Sequence, residues 1–145
     1  MRAGFYLSPR EPVERVLPQI ARKALEAGQR MLIVAGDESL LARLDKALWE
    51  QFPEDFLAHG RADAPHAERQ PLLLSRACIA ANGARLIALA DGLWREEAAG
   101  FERAFLFFDE AGRAAAQRTW AGFKGRADVT REFHEHVEGK WQAKA

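Results

Sequence analysis

The chain has 145 residues, 48% of them apolar, with 21 basic side chains against 21 acidic ones. That apolar content excludes a disordered chain, and the length suits one domain, residues 1–145, with a full core. A formal net charge of zero leaves no overall field to draw the protein onto DNA or an anionic membrane, so any electrostatic attraction comes from a local patch.

Ala3 to Leu7 reads as a first strand, and Ser8-Pro9-Arg10-Glu11-Pro12 as the turn after it. Val13, Val16, Leu17, Ile20 and Ala24 then recur at helical spacing. Pro18 falls inside that pattern, where it removes a backbone hydrogen bond and kinks the helix or delays its regular start. Gly28 is a C-terminal stop. Arg30 to Ala35 is a continuous apolar run, short enough for a buried parallel strand. Asp37 follows as an N-cap, and Leu40, Leu41, Leu44 and Leu48 mark the inner face of a second helix.

Phe52 to His59 is a connector with two aromatics, and Gly60 to Gln70 reads as an exposed polar loop. Leu72-Leu73-Leu74 and Arg85 to Leu89 are two further strands, separated by a short helical or irregular piece from Ala77 to Gly83. Trp94 to Gly100 is a short helical segment. Arg103 to Phe108 is the last clear strand, and Asp109 to Phe123 the last long helix. Val129 to Trp141 is a tail that adds an edge strand or packs across the sheet. Strand and helix alternate throughout, which implies an α/β fold with a mostly parallel central sheet flanked by helices in three layers.

Such sheets bind ligands at the carboxyl ends of their strands. A nucleotide site needs glycines after the first strand, so that backbone N–H groups approach phosphate. Here two prolines remove two of those donors. Asp109-Glu110 after an apolar strand resembles a Walker B element, but that element works with a phosphate loop, and none is present. The two acids read instead as the start of the last helix, where its dipole favours them. His134 and His136 are two apart, whereas a helical zinc pair needs histidines four apart. A lone Cys78 makes neither an intramolecular disulfide nor a cysteine-based zinc site. It reads as a buried or half-buried thiol in a reducing cytoplasm. No metal or cofactor is expected. The N-terminus lacks a signal-peptide block, and no apolar run approaches the ~20 residues of a membrane helix.

Ala111 to Ala127 carries Arg113, Arg118, Lys124 and Arg126 and no acid. Trp120 and Phe123 are three apart and share a helix face. One reading makes both aromatics core. The other is a hydrophobic pocket rimmed by cations, suited to an acidic peptide with an aromatic end or free carboxylate. Single-stranded nucleic acid is a competing ligand, since bases stack on aromatics beside cations. Phe56, near Trp49 and Phe52, is either a loop aromatic folded back on the core or an apolar anchor for a partner.

Several blocks together resemble the chi subunit of bacterial DNA polymerase III. They are Phe5-Tyr6-Leu7, Gly28 to Val34, Arg43-Leu44-Asp45-Lys46-Ala47-Leu48-Trp49, Asp55-Phe56-Leu57-Ala58-His59 and Gln70 to Leu74. Arg118, Trp120, Phe123, Lys124 and Gly139-Lys140-Trp141 complete the pattern. The resemblance implies a Rossmann-like fold without catalytic role, part of the clamp-loader assembly. It implies one face for the psi subunit, where Phe56 matches a family aromatic. It implies another for the acidic C-terminal tail of single-stranded DNA-binding protein, which ends in Pro-Phe. Arg113, Arg118, Trp120, Phe123 and Lys124 are the residues expected to hold that tail. Gln117 departs from the family, which has a basic residue there; either Arg118 supplies the charge from a shifted angle or the contact is weaker. The alternatives are a nucleotide-binding hydrolase using Asp109 and Glu110, or a direct single-stranded nucleic-acid binder.

Overall fold

A computed structural model describes residues 1–144. The elements in chain order are β1 (Arg2–Leu7), α1 (Val13–Glu26), β2 (Met31–Val34), α2 (Glu38–Glu50), β3 (His59–Arg61), β4 (Leu72–Ser75), β5 (Leu86–Leu89), β6 (Arg103–Phe108), α3 (Arg113–Gly122), β7 (Thr130–Val137) and β8 (Lys140–Lys144). Two short 3-10 turns, Ala67–Arg69 and Glu96–Gly100, lie in the connections. The eight strands form one sheet in the order β3-β4-β2-β5-β6-β1-β7-β8. Every pairing is parallel except the β7–β8 hairpin.

Alternation along the strands divides the core in two. Tyr6, Met31, Ile33, Leu72, Leu74, Ala88, Phe105 and Phe107 face α1 and α2, whose buried stripes include Leu17, Ile20, Leu41, Leu44 and Leu48. Phe5, Leu7, Leu32, Val34, Ile87, Leu89, Leu106 and Phe108 face the other way, toward Ala116 and Phe123 of the α3 region and Ala98. The central strands are apolar on both faces because both faces are covered. Asp37 caps α2, its Oδ1 accepting the Ser39 N–H at 3.0 Å. Gly28 terminates α1 with φ +73°, a conformation that L side chains resist. Pro18 is buried inside α1 without ending it, so packing of the amphipathic stripe outweighs the missing bond.

Two expectations are corrected, and the edge-strand reading of the tail holds. The polar stretch from Gly60 begins as part of β3, which pairs with β4 along His59–Arg61. The last helix spans Arg113–Gly122 rather than Asp109 to Phe123, because Asp109 turns the chain: its Oδ1 accepts the Gly112 N–H at 2.9 Å. Asp109 and Glu110 therefore precede α3 instead of opening it. The tail forms two strands, with β7 running parallel to β1 over its first six residues and β8 closing the edge.

Candidate functional site

The carboxyl ends of the central strands open onto a cleft of about 340 Å³ lined in part by Glu11, Glu14, Asp37, Asp91, Asp109 and Arg43. Arg43 is already paired with Glu14 at 2.8 Å. Asp91 accepts two hydrogen bonds from Arg95 at 2.9 Å. Burial pushes its carboxyl up, but the hydrogen bonds from Arg95 and Gly36 outweigh it and hold it below its usual range. The carboxylates left over make this cleft repel phosphate, in line with the prolines after β1. Glu110, the second acid of the Walker-like pair, is bound by Arg113 through two hydrogen bonds of 2.9 Å.

A second cavity, of about 260 Å³, lies between α3 and β7. Phe5, Phe108 and Phe133 supply aromatic walls, Ala116 and Trp120 come from α3, and Arg113 and Gln117 stand at its edge. The sequence builds it simply. Phe5, Phe108 and Phe133 sit on neighbouring strands β1, β6 and β7, with Phe5 opposite Phe133 in register and all three on the α3 side of the sheet. Residues 113, 116, 117 and 120 fall three and four apart, on one face of α3. Small Ala116 leaves space where a larger residue would fill it.

The structure separates the expected tail-binding residues. Arg113 and Trp120 line the cavity. Trp120 is half-buried, and its ring meets Phe5 edge to face at 5.0 Å. Phe123 does not line it: just past the end of α3, it is only 4% exposed. Its ring packs against Trp94 at 4.9 Å and Phe5 at 6.0 Å. Arg118 is exposed on another face of α3, and Lys124 is exposed beyond the helix end. Arg126, the fourth cation, is engaged by Glu96 and Asp128, each at 2.8 Å.

Arg131 and Phe133, alternate residues of β7, were not anticipated. Arg131 places its guanidinium 4.5 Å from the Trp120 ring centroid and donates from Nη1 to the Trp120 carbonyl at 2.8 Å. The alternation Thr130-Arg131-Glu132-Phe133-His134 is the signal that could have found them. His134 and His136 share the opposite face of β7, away from Arg131 and Phe133. His134 stacks on Tyr6 at 4.4 Å, and no group of three or more His, Cys, Asp or Glu side chains among the described residues could hold a metal ion.

Phe56 lies far along the chain from this cavity, in the connector after α2. It is 66% exposed, and Trp49 beside it is 49% exposed. Their rings lie 5.4 Å apart. Trp49 in turn rests against buried His59 at 4.5 Å, whose Nε2 lies 2.8 Å from Asp45. Phe56 holds φ at +43°, a left-handed conformation that a bulky residue adopts at a cost of about 1–2 kcal/mol.

The family model described as DNA polymerase III chi subunit, HolC, matches residues 1–129. The chain is also 40% identical over 50 residues to the DNA polymerase III subunit chi of Escherichia coli (strain K12). That segment covers 34% of each chain, so the match spans about a third of the length of this curated relative. Arg131 and Phe133 lie outside the residues that the family model matches.

Proposed function

The chain belongs to the DNA polymerase III chi subunit family, and from that premise we propose that it bridges single-stranded DNA-binding protein to the clamp loader. As a member of this family it is a replication accessory subunit. In our reading it works in the cytoplasm as one Rossmann-like domain, without a catalytic centre or cofactor of its own. Its two contacts are the acidic, Pro-Phe-ending tail of single-stranded DNA-binding protein and the psi subunit, and it reaches DNA only indirectly.

The observation that carries the tail contact is the aromatic cavity between α3 and β7 with Arg113 in its wall. A cavity of about 150 Å³ already admits a benzene ring, so this one has room for a phenyl group. Arg113 offers a planar fork to the terminal carboxylate, while Trp120 forms a wall for the ring. Arg118 and Lys124 add positive field from outside the cavity, and Phe123 backs Phe5 from beneath instead of touching the tail.

The psi contact is supported by the Trp49–Phe56 pair. Two large aromatics stay largely exposed, one of them in a costly backbone conformation. Buried under a partner they become anchors.

Fluorescence anisotropy of a labelled acidic peptide ending in Pro-Phe tests the tail reading. Saturable binding is expected at roughly micromolar Kd, about −8 kcal/mol. It should weaken with salt, since exposed charges are screened beyond about 8–10 Å, and vanish when the terminal Phe is removed. Absence of binding at high micromolar protein would overturn the reading.

A further inference from the structure

We propose that Arg131, rather than Arg118, is the second anion receptor of the α3–β7 site, where it takes an acidic side chain of the bound tail upstream of its terminal aromatic. The inference rests on the tail-binding reading and deepens it. The cavity leaves a gap in that reading, because the residue lining it one turn before Trp120 is the uncharged Gln117. Arg118 is next to it in sequence but about 100° round the helix; neither Arg118 nor Arg131 lines the cavity itself, but Arg131 contacts one of the lining residues, Trp120. Arg131 approaches from the strand side instead. Its guanidinium carbon stands over the Trp120 ring, 4.5 Å from the centroid.

Three observations make Arg131 a receptor rather than a structural tie. It has no carboxylate partner within salt-bridge distance among the described residues, whereas Arg2, Arg103, Arg113 and Arg126 all have one. Stacking on Trp120 and one hydrogen bond to the Trp120 carbonyl fix its orientation before any ligand arrives. A planar fork held in this way loses little freedom on binding. Only Nη1 is used in that bond, so the remaining N–H groups stay available for a carboxylate.

The division of labour follows from spacing. Arg113 and Trp120 stand seven residues apart on α3, about 10 Å at 1.5 Å per residue. A peptide whose aromatic end sits in the cavity with its terminal carboxylate at Arg113 covers that span in about three extended residues. Arg131, over Trp120, therefore meets an Asp or Glu about three residues before the aromatic.

The test pairs protein variants with peptide variants. Wild-type protein is titrated by anisotropy with an acidic Pro-Phe-ending peptide bearing Asp three residues before the terminal Phe, and with the same peptide bearing Asn there. The wild type should favour Asp by about tenfold. Arg131→Gln should lose most of that preference, Arg131→Lys should restore part of it, and Arg118→Gln should keep it. Preference retained in Arg131→Gln but lost in Arg118→Gln overturns the assignment while leaving the tail reading standing. Failure of the wild type to bind either peptide overturns the tail reading itself. Circular dichroism melts of Arg131→Lys and Arg131→Gln separate lost binding from lost fold.

Discussion

Trp120 meets Phe5 edge to face at 5.0 Å, so the half-exposed aromatic of the last helix is held by the first strand. Phe123 touches the same Phe5 ring at 6.0 Å from a buried position. The two aromatics of this segment thus have different work, and substitution separates them. Trp120→Ala should lower affinity for the tail peptide by about tenfold or more, since buried aromatic anchors dominate such contacts. Phe123→Ala should cost about 3 kcal/mol of stability, the usual cost of emptying a buried aromatic site. Urea titrations of both variants, read alongside peptide binding, check the split.

Arg113 in the free protein holds Glu110 by two hydrogen bonds. In the proposed tail contact, a ligand carboxylate therefore displaces an internal one. Arg113→Glu should abolish measurable tail binding without unfolding the protein. Glu110→Gln should raise affinity by about threefold, the scale of a relieved surface ion pair. Unchanged or weaker binding in Glu110→Gln would show that the two carboxylates do not compete.

Phe56→Ala and Trp49→Ala should each weaken psi binding while leaving the tail peptide bound as before. Phe56→Gly carries a sharper signature. Glycine adopts positive φ freely, so this variant should be at least as stable as wild type while losing psi. Co-purification with psi at wild-type yield would remove Phe56 from the interface.

The elements that carry the core were readable from the chain. Leu40, Leu41, Leu44 and Leu48 of α2 are all buried, as helical spacing requires, and the apolar runs became β2, β4, β5 and β6. The strand β3 was not readable, because His59-Gly60-Arg61 is an edge segment with no apolar run of its own. Phe123 misled for another reason. Its helical spacing from Trp120 holds, since the C-cap backbone at Phe123 is still helical, but spacing alone does not tell a core aromatic from a pocket wall, and the ring is buried. Arg131 escaped notice because its significance lies in a stacking contact across 11 residues of sequence, which no local pattern records.

Glu132 ties three strands together near the N-terminal end of β1. It binds Arg2 at 2.8 Å, Arg103 at 2.7 Å and His134 at 3.2 Å. Burial pushes its carboxyl up, but the hydrogen bonds from Arg2 and His134 and the charges of Arg103 and Arg2 outweigh it and hold it at about 2. A carboxyl depressed in the folded state stabilises above its unfolded pKa, and that stability is lost as pH falls through the folded value. The contribution should therefore fade from about pH 4.5 and be gone near pH 2. Glu132→Gln should cost about 2 kcal/mol at neutral pH, between the values for exposed and buried pairs. Denaturant curves at pH 7 and pH 3 should show the wild-type advantage over this variant shrinking with acid.

The proposed bridging role demands that the two faces work at once, and calorimetry of the tail peptide against the protein alone and against its complex with psi measures that directly. The account predicts the same Kd, within about twofold, in both titrations, because the α3–β7 cavity and the Trp49–Phe56 pair share no residue. Loss of peptide binding in the psi complex, or release of psi by the peptide, would contradict it.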